Sequence, residues 1–184
     1  MARNVENMTY TAYTDGVSYK TDNGLGSSAY IVLQNGKLVC ENSKTFSQTN
    51  CPRMKMLSII SAVNNVPKGS VITVYSDFEL AIKVLSKVWN AQKNLDLISL
   101  YDKVSEGKDV ELVWKGVKER DPLSKRVKDM AYSVYNQNRP SLEQGTFTFV
   151  PKPQGREVTL QPMVVYPDDD AFYSEDNPFN YNGD

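Results

Sequence analysis

The sequence predicts an α/β fold, a mixed five-stranded sheet flanked by helices, followed by an extended C-terminal arm. Three observations predict it. The first 46 residues read as strands separated by turn signals, residues 50–137 alternate helical and strand patterns, and the composition changes beyond Asn138. A hairpin-rich start followed by alternation is the pattern of a mixed sheet with helices packed on it.

Met8–Thr14 (MTYTAYT) reads as a first strand, followed by a glycine-containing loop. Ser28–Gln34 and Lys37–Phe46 flank Asn35-Gly36, a strong two-residue hairpin signal. Asn50–Val66 places Met56, Ile59, Ile60 and Val63 at the i, i+3, i+4, i+7 spacing of a buried helix face, with Pro52 where a first turn tolerates proline. Ser70–Tyr75 (SVITVY) is a short, nearly continuous apolar run, as expected of a central strand. Phe78–Val88 and Leu95–Val104 read as helices, Val110–Trp114 as a fifth strand and Ser124–Tyr135 as a last helix. Residues 1–138 are expected to form one domain and 139–184 an acidic arm containing prolines and aromatics.

Composition excludes several classes of function. The chain of 184 residues has no His and two Cys, Cys40 and Cys51. It therefore lacks the means for Ser-His-Asp or Cys-His catalysis, for a disulfide scaffold, or for the usual structural zinc site. No apolar run approaches the ~20 residues of a spanning helix, and MARNVENMTY lacks the apolar core of a secretory signal. No membrane association and a cytoplasmic setting with reduced thiols are expected; for a viral protein this means the host cytoplasm or the virion. The net charge of −1 is split, +5 over residues 1–139 and −6 over 140–184. A mildly basic body with an acidic tail is the pattern.

The tail holds most of the chain's prolines and few aliphatics, so it has no means to bury a core of its own. Thr146–Val150 (TFTFV) and Glu157–Tyr166 (EVTLQPMVVY) alternate and could add to a sheet edge, on this protein or on a neighbour. Disorder is the alternative. Phe147, Phe149, Val164, Tyr166, Phe172, Tyr173, Phe179 and Tyr181 are the candidate docking side chains. Gly24-Leu25-Gly26-Ser27-Ser28-Ala29 matches a loose dinucleotide fingerprint, but a strand follows where a helix is required, so the glycines are expected to shape a loop.

The chemistry-bearing residues are spread over four elements. Tyr13-Thr14-Asp15-Gly16 closes the predicted first strand and Ser76-Asp77 the central one. If those strands are neighbours, both carboxylates emerge at one sheet edge, an arrangement that can hold a divalent metal for phosphoryl chemistry. A strand-ending Asp is also an ordinary turn residue.

Over residues 8–137 this order of elements and motifs resembles the ribonuclease H family. YTDG is similar to its first-strand motif, with Asp15 in the metal-binding position. Thr49-Asn50 and Arg53-Met54-Lys55-Met56 resemble its T-N-x-R-M-E-L helix start, and Tyr75-Ser76-Asp77 its T-D-S strand end. Val117 through Ala131 resembles its V-x-R-E-x-N-x-x-A-D-x-L-A ending. The resemblance implies two Mg²⁺ ions held by four carboxylates. Here the helix glutamate position is Lys55 and the last aspartate position is Lys128. Val127, Met130, Ala131 and Val134 have core spacing, which fixes that register; Asp129 lies ~100° further round the helix. Ser124 replaces the family's Asn, and the auxiliary His is absent. A set of two carboxylates and two ammonium groups sums to zero charge, so Asp15, Lys55, Asp77 and Lys128 are expected to form a degenerate site. In it the lysines pair with the aspartates roughly where metals would stand, unless they swing out to solvent. No cofactor is expected.

Three functions follow. The leading one is a non-catalytic domain reused for binding or assembly, docking on a protein partner through its tail, in a viral or replication assembly. The second is a Mg²⁺-dependent nuclease cutting RNA in RNA–DNA hybrids, with Asp15, Asp77 and a substitute carboxylate, Asp129 or Glu79. The third is passive nucleic-acid binding through the basic stretch 115–128, with Lys115, Lys118, Arg120, Lys125 and Arg126 on the phosphates. Trp89, Trp114, Tyr13, Tyr30 and Tyr75 could stack on bases, but core packing is the expected role.

Overall fold

The computed structural model describes residues 8–19, 24–116 and 121–139. Five strands and four helices alternate as β1 (Thr9–Ser18), β2 (Gly26–Gln34), β3 (Lys37–Phe46), α1 (Cys51–Asn64), β4 (Val71–Ser76), α2 (Glu79–Leu85), α3 (Leu95–Ser105), β5 (Asp109–Trp114) and α4 (Pro122–Asn138). The strands form one mixed sheet in the order β3-β2-β1-β4-β5. β1, β2 and β3 pair antiparallel, whereas β4 runs parallel to both β1 and β5.

Every element expected within residues 8–137 is present, β3 with the expected ends and the others with shifted ones, while the tail pieces 146–150 and 157–166 lie outside the described residues. β1 runs four residues past Thr14, because Asp15, Gly16, Val17 and Ser18 stay paired with Ala29, Ser28, Ser27 and Gly26 of β2. Its ladder with β4 stops earlier, at Tyr13 opposite Tyr75. Asp15 therefore lies inside β1, not at its end, yet just beyond the point where β1 and β4 part. The second helix is shorter than expected: Ser86 caps α2, and Lys87 takes a left-handed conformation, φ 60°. The amides of Val88 and Trp89 then fold back onto the carbonyl of Lys83.

Helices cover the sheet unequally. On one face α1 packs across β1, β2 and β4 and meets α3. Between them lies the larger core, including Ala12, Val32, Ile59, Ile72, Val74 and Leu97. On the other face α4 covers β1, β2 and β3 through Val17, Ala29, Ile31, Leu33, Val127, Ala131 and Tyr135. The apolar stripe of α4 thus runs through positions 127, 131 and 135, while Met130 and Val134 are half-buried at its margin.

α1 is buried well beyond the one face its apolar spacing suggests. Asn50 caps it, accepting a hydrogen bond from the Arg53 amide at 3.0 Å. Arg53 itself is 1% exposed. A buried guanidinium is tolerable only when its donors are matched, and here Nη1 donates to Asn94 and Asp96 while Nη2 donates to the other oxygen of Asp96. This bidentate contact ties α1 to the start of α3. Gly16 permits the close approach on the opposite side: a Cβ there would lie 2.5 Å from the Met54 carbonyl carbon. Strand β1 and helix α1 are brought together at the point where Asp15 and Lys55 must meet.

Candidate functional site

Asp15, Lys55 and Asp77 converge where β1 and β4 separate. The Lys55 ammonium bonds to Asp15 Oδ1 and lies 2.7 Å from Asp77 Oδ1. All three side chains are shielded, with 13%, 6% and 16% of Lys55, Asp15 and Asp77 exposed. Asp15 Oδ1 also accepts the Gly16 amide at 2.7 Å. The Thr14 hydroxyl donates to the Tyr75 carbonyl at 2.9 Å, and the Lys115 amide to the Ser76 carbonyl at 2.8 Å. These two bonds hold the ends of β1, β4 and β5 in step where the ladder has ended.

The electrostatics follow from burial and from two carboxylates facing one ammonium. Burial alone would push the Lys55 pKa down, but Asp15 and Asp77 together hold it above the ordinary lysine value. Burial pushes Asp15 up; Asp77 adds to that push, and the charge and hydrogen bond of Lys55 and the Gly16 amide oppose it. Cys51, in the first turn of α1, feels the same cluster, and burial raises its thiol. Between the two carboxylates stands a cation supplied by the chain.

Lys128 does not join them. Its ammonium lies over the Tyr132 ring, 5.5 Å from the centroid, one turn further along α4. Tyr132 in turn shares a hydrogen bond of 3.1 Å with Tyr19. That bond, with burial next, pushes its phenol up to about 12. The expected pairing of both lysines is thus corrected to pairing by Lys55 alone: the buried stripe of α4 turns Lys128 to its flank, where an aromatic face is available. Asp129 is exposed and lines, with Arg126, Ser133 and Ser43 of β3, an open groove beside α4. Glu79 begins α2. Among the described residues no three carboxylate or thiol side chains gather as a metal would require, so neither Asp129 nor Glu79 completes a ligand set with Asp15 and Asp77.

A small cluster beside the site was not foreseen as a unit. Tyr13 and Tyr75 stack at 5.2 Å between centroids, and Lys115 lies over both rings, at 5.6 and 4.4 Å. Lys115 also pairs with Asp121, the N-cap of α4. The parallel register of Tyr13 opposite Tyr75 was the available signal. Tyr30 accepts a hydrogen bond from Asn65, Trp89 packs on the core edge, and Trp114 is 48% exposed.

In the basic stretch, Arg126 is paired with Glu41 at 2.6 Å, and Lys125 borders a groove beside α4. Lys118 and Arg120 lie outside the described residues. So do the tail positions Phe147, Phe149, Val164, Tyr166, Phe172, Tyr173, Phe179 and Tyr181. No described helix is long and apolar enough to cross a membrane.

No protein-family model and no curated protein matches the sequence. Solved structures do match the fold. The N-terminal RNase H domain of Rv2228c from Mycobacterium tuberculosis superposes with a TM-score of 0.63 at 12% identity, covering 71% of this chain and 95% of that one. This chain has the ribonuclease H fold. RNase H1 from Halobacterium salinarum is similar at a TM-score of 0.61, 16% identity and coverage of 70% and 98%. LC11-RNase H1, in complex with an RNA/DNA hybrid, gives 0.59, 12% and coverage of 70% and 97%. At such identities the likeness speaks for the ribonuclease H fold alone.

Proposed function

We propose that this chain is a catalytically degenerate ribonuclease H-like domain, reused as a binding or assembly module that docks through its C-terminal segment. The observation that carries the reading is the Lys55 ammonium bonded to both Asp15 and Asp77. Two carboxylates and one ammonium leave −1 at a position where the resemblance implies −4. A divalent ion ~4 Å from Lys55 would meet a repulsion of several kcal/mol per charge pair in a partly shielded site. The residues present do not fit a two-metal centre, and no catalytic step is derived through one.

The acidic, aromatic composition of 140–184 supports its role as the element that reaches a protein partner, in a viral or replication assembly within the cytoplasm. Passive nucleic-acid binding is the weaker reading, because Lys115 and Arg126 are neutralised by Asp121 and Glu41. An RNA–DNA hybrid incubated with Mg²⁺ or Mn²⁺ tests the first part of the proposal. The hybrid should stay intact with the full chain, and cleavage that disappears on Asp15→Asn would overturn it. For the second part, partners recovered with the full chain should be lost with residues 1–139 alone, provided circular dichroism shows the body folded. Equal recovery by both chains contradicts a docking tail.

A further inference from the structure

We infer that the ion pair between Lys115 and Asp121 is a clasp that closes the Asp15–Lys55–Asp77 cluster from solvent, by holding the first turn of α4 against the ends of β4 and β5. A small cavity of about 10 Å³, the room of one water molecule, borders the two aspartates. Thr14, Asp15, Tyr75, Ser76 and Asp77, at the ends of the β1 and β4 ladder, line one part of it. Lys115 and Ser124 complete the lining. Lys115 follows β5 and Ser124 belongs to α4, so the cavity is closed only while these two elements stay together.

The clasp is built to hold. The Lys115 amide donates to the Ser76 carbonyl at 2.8 Å, which fixes its backbone beside the end of β4. Its ammonium lies over the Tyr75 ring at 4.4 Å and the stacked Tyr13 ring at 5.6 Å, an aromatic floor that attracts a cation. Asp121 divides its two oxygens between two tasks. One pairs with Lys115, and the other accepts the Ser124 amide at 2.8 Å as the N-cap of α4. The carboxylate that starts the helix therefore also ties it to β5, and it fixes the residue that closes the cavity.

Only 24% and 28% of the two side chains are exposed, so water screens this pair less than an ordinary surface pair. The hydrogen bond to Asp121 holds the Lys115 pKa above its ordinary value. Burial would push Asp121 up, but the bonds from Lys115 and the Ser124 amide hold it below the ordinary value.

The rest of α4 is seated without the clasp. Val127, Ala131 and Tyr135 are buried against the sheet, and the Ser27 hydroxyl donates to the Ala131 carbonyl at 2.6 Å. In the first turn, by contrast, Pro122 and Lys125 are exposed and Leu123 is half-buried. Releasing the clasp loosens that turn and opens the cluster while the domain stays folded, a local opening rather than a global one.

Carboxyl footprinting of the full-length protein with a carbodiimide and glycine ethyl ester, read by mass spectrometry, tests this. Asp15 and Asp77 should be labelled slowly in the unmutated protein. Labelling should be at least ~5-fold faster in Lys115→Met and in Asp121→Asn, which retains a capping side chain. Lys115→Arg keeps the charge and should label as slowly as the unmutated protein. Asp96, paired with Arg53 at the start of α3, should label at one rate throughout. Amide exchange in the charge-removing variants should rise at 122–126 and stay unaltered at 131–138. Unaltered labelling of Asp15 and Asp77 in both of those variants would overturn the inference. So would faster labelling of Asp96 alongside them, or faster exchange along all of α4, which would make the pair a general stability contact.

Discussion

Replacing Lys55 by Met removes the ammonium that joins Asp15 to Asp77 while keeping the apolar stem. At 2.7 Å, the contact with Asp77 Oδ1 carries roughly 6 kcal/mol of attraction at an effective dielectric of ~20, and the bond to Asp15 adds to it. Desolvating three largely shielded charges takes back several kcal/mol per ion, so the pair contributes far less than its gross attraction. Removing one member leaves two buried carboxylates facing each other without a counter-charge, and such deletions cost ~3–5 kcal/mol. Lys55→Met should lose about that much in urea unfolding at pH 7.5.

The pH dependence has a definite sign. Because the folded Lys55 pKa is raised, its contribution is fully present below the ordinary lysine range and is lost only as pH rises through the higher folded value. Asp15, also raised, favours the folded state most when protonated, and that gain is lost as pH rises through its folded value. In Lys55→Met the lysine that opposes the upward push on Asp15 is gone, so the variant should recover stability on acidification towards pH 5 and the gap to the unmutated protein should narrow. A loss below ~1 kcal/mol, or a gap that does not change with pH, would show that Lys55 does not neutralise the two carboxylates.

Arg53→Lys cannot reproduce the fork to Asn94 and Asp96, and should cost ~2–4 kcal/mol in the same assay. Arg53 holds Asp96 below its ordinary value against the effect of burial, so that contribution is present above the usual carboxylate range and is lost as pH falls through the depressed value. Gly16→Ala would drive a methyl group into the backbone of Met54 and Lys55 and should destabilise by ~1–3 kcal/mol, visible as a lower thermal midpoint. Among the described residues the buried Tyr135 hydroxyl has no hydrogen-bond partner, so Tyr135→Phe should be neutral or stabilise by up to ~1 kcal/mol; a loss of stability would show a partner for it. Lys55→Glu/Lys128→Asp should acquire a Mg²⁺-dependent rise in melting temperature that the unmutated chain lacks.

The elements were legible because their periods are simple. The Asn35-Gly36 turn, the SVITVY run and Pro52 at the start of α1 each signal one structure, and the paired positions of Asp15 and Asp77 follow from parallel β1 and β4. What the sequence concealed was set by tertiary contact. The continuation of β1 to Ser18 depends on pairing with β2, which no local pattern in GVS announces. The burial of Arg53 depends on Asp96, 43 residues away. Lys55 and Lys128 look equivalent as replacements, yet they differ because α1 is sandwiched against β1 while the flank of α4 gives Lys128 an aromatic face.

Lys55 stands between Asp15 and Asp77, where the resemblance to ribonuclease H implies metal. Isothermal calorimetry of the full chain with Mg²⁺ and Mn²⁺, beside the same titration of Lys55→Glu/Lys128→Asp, tests it most directly. The unmutated chain should give no saturable heat and the double variant measurable binding. Stoichiometric metal binding by the unmutated chain, abolished by Asp15→Asn, would contradict it.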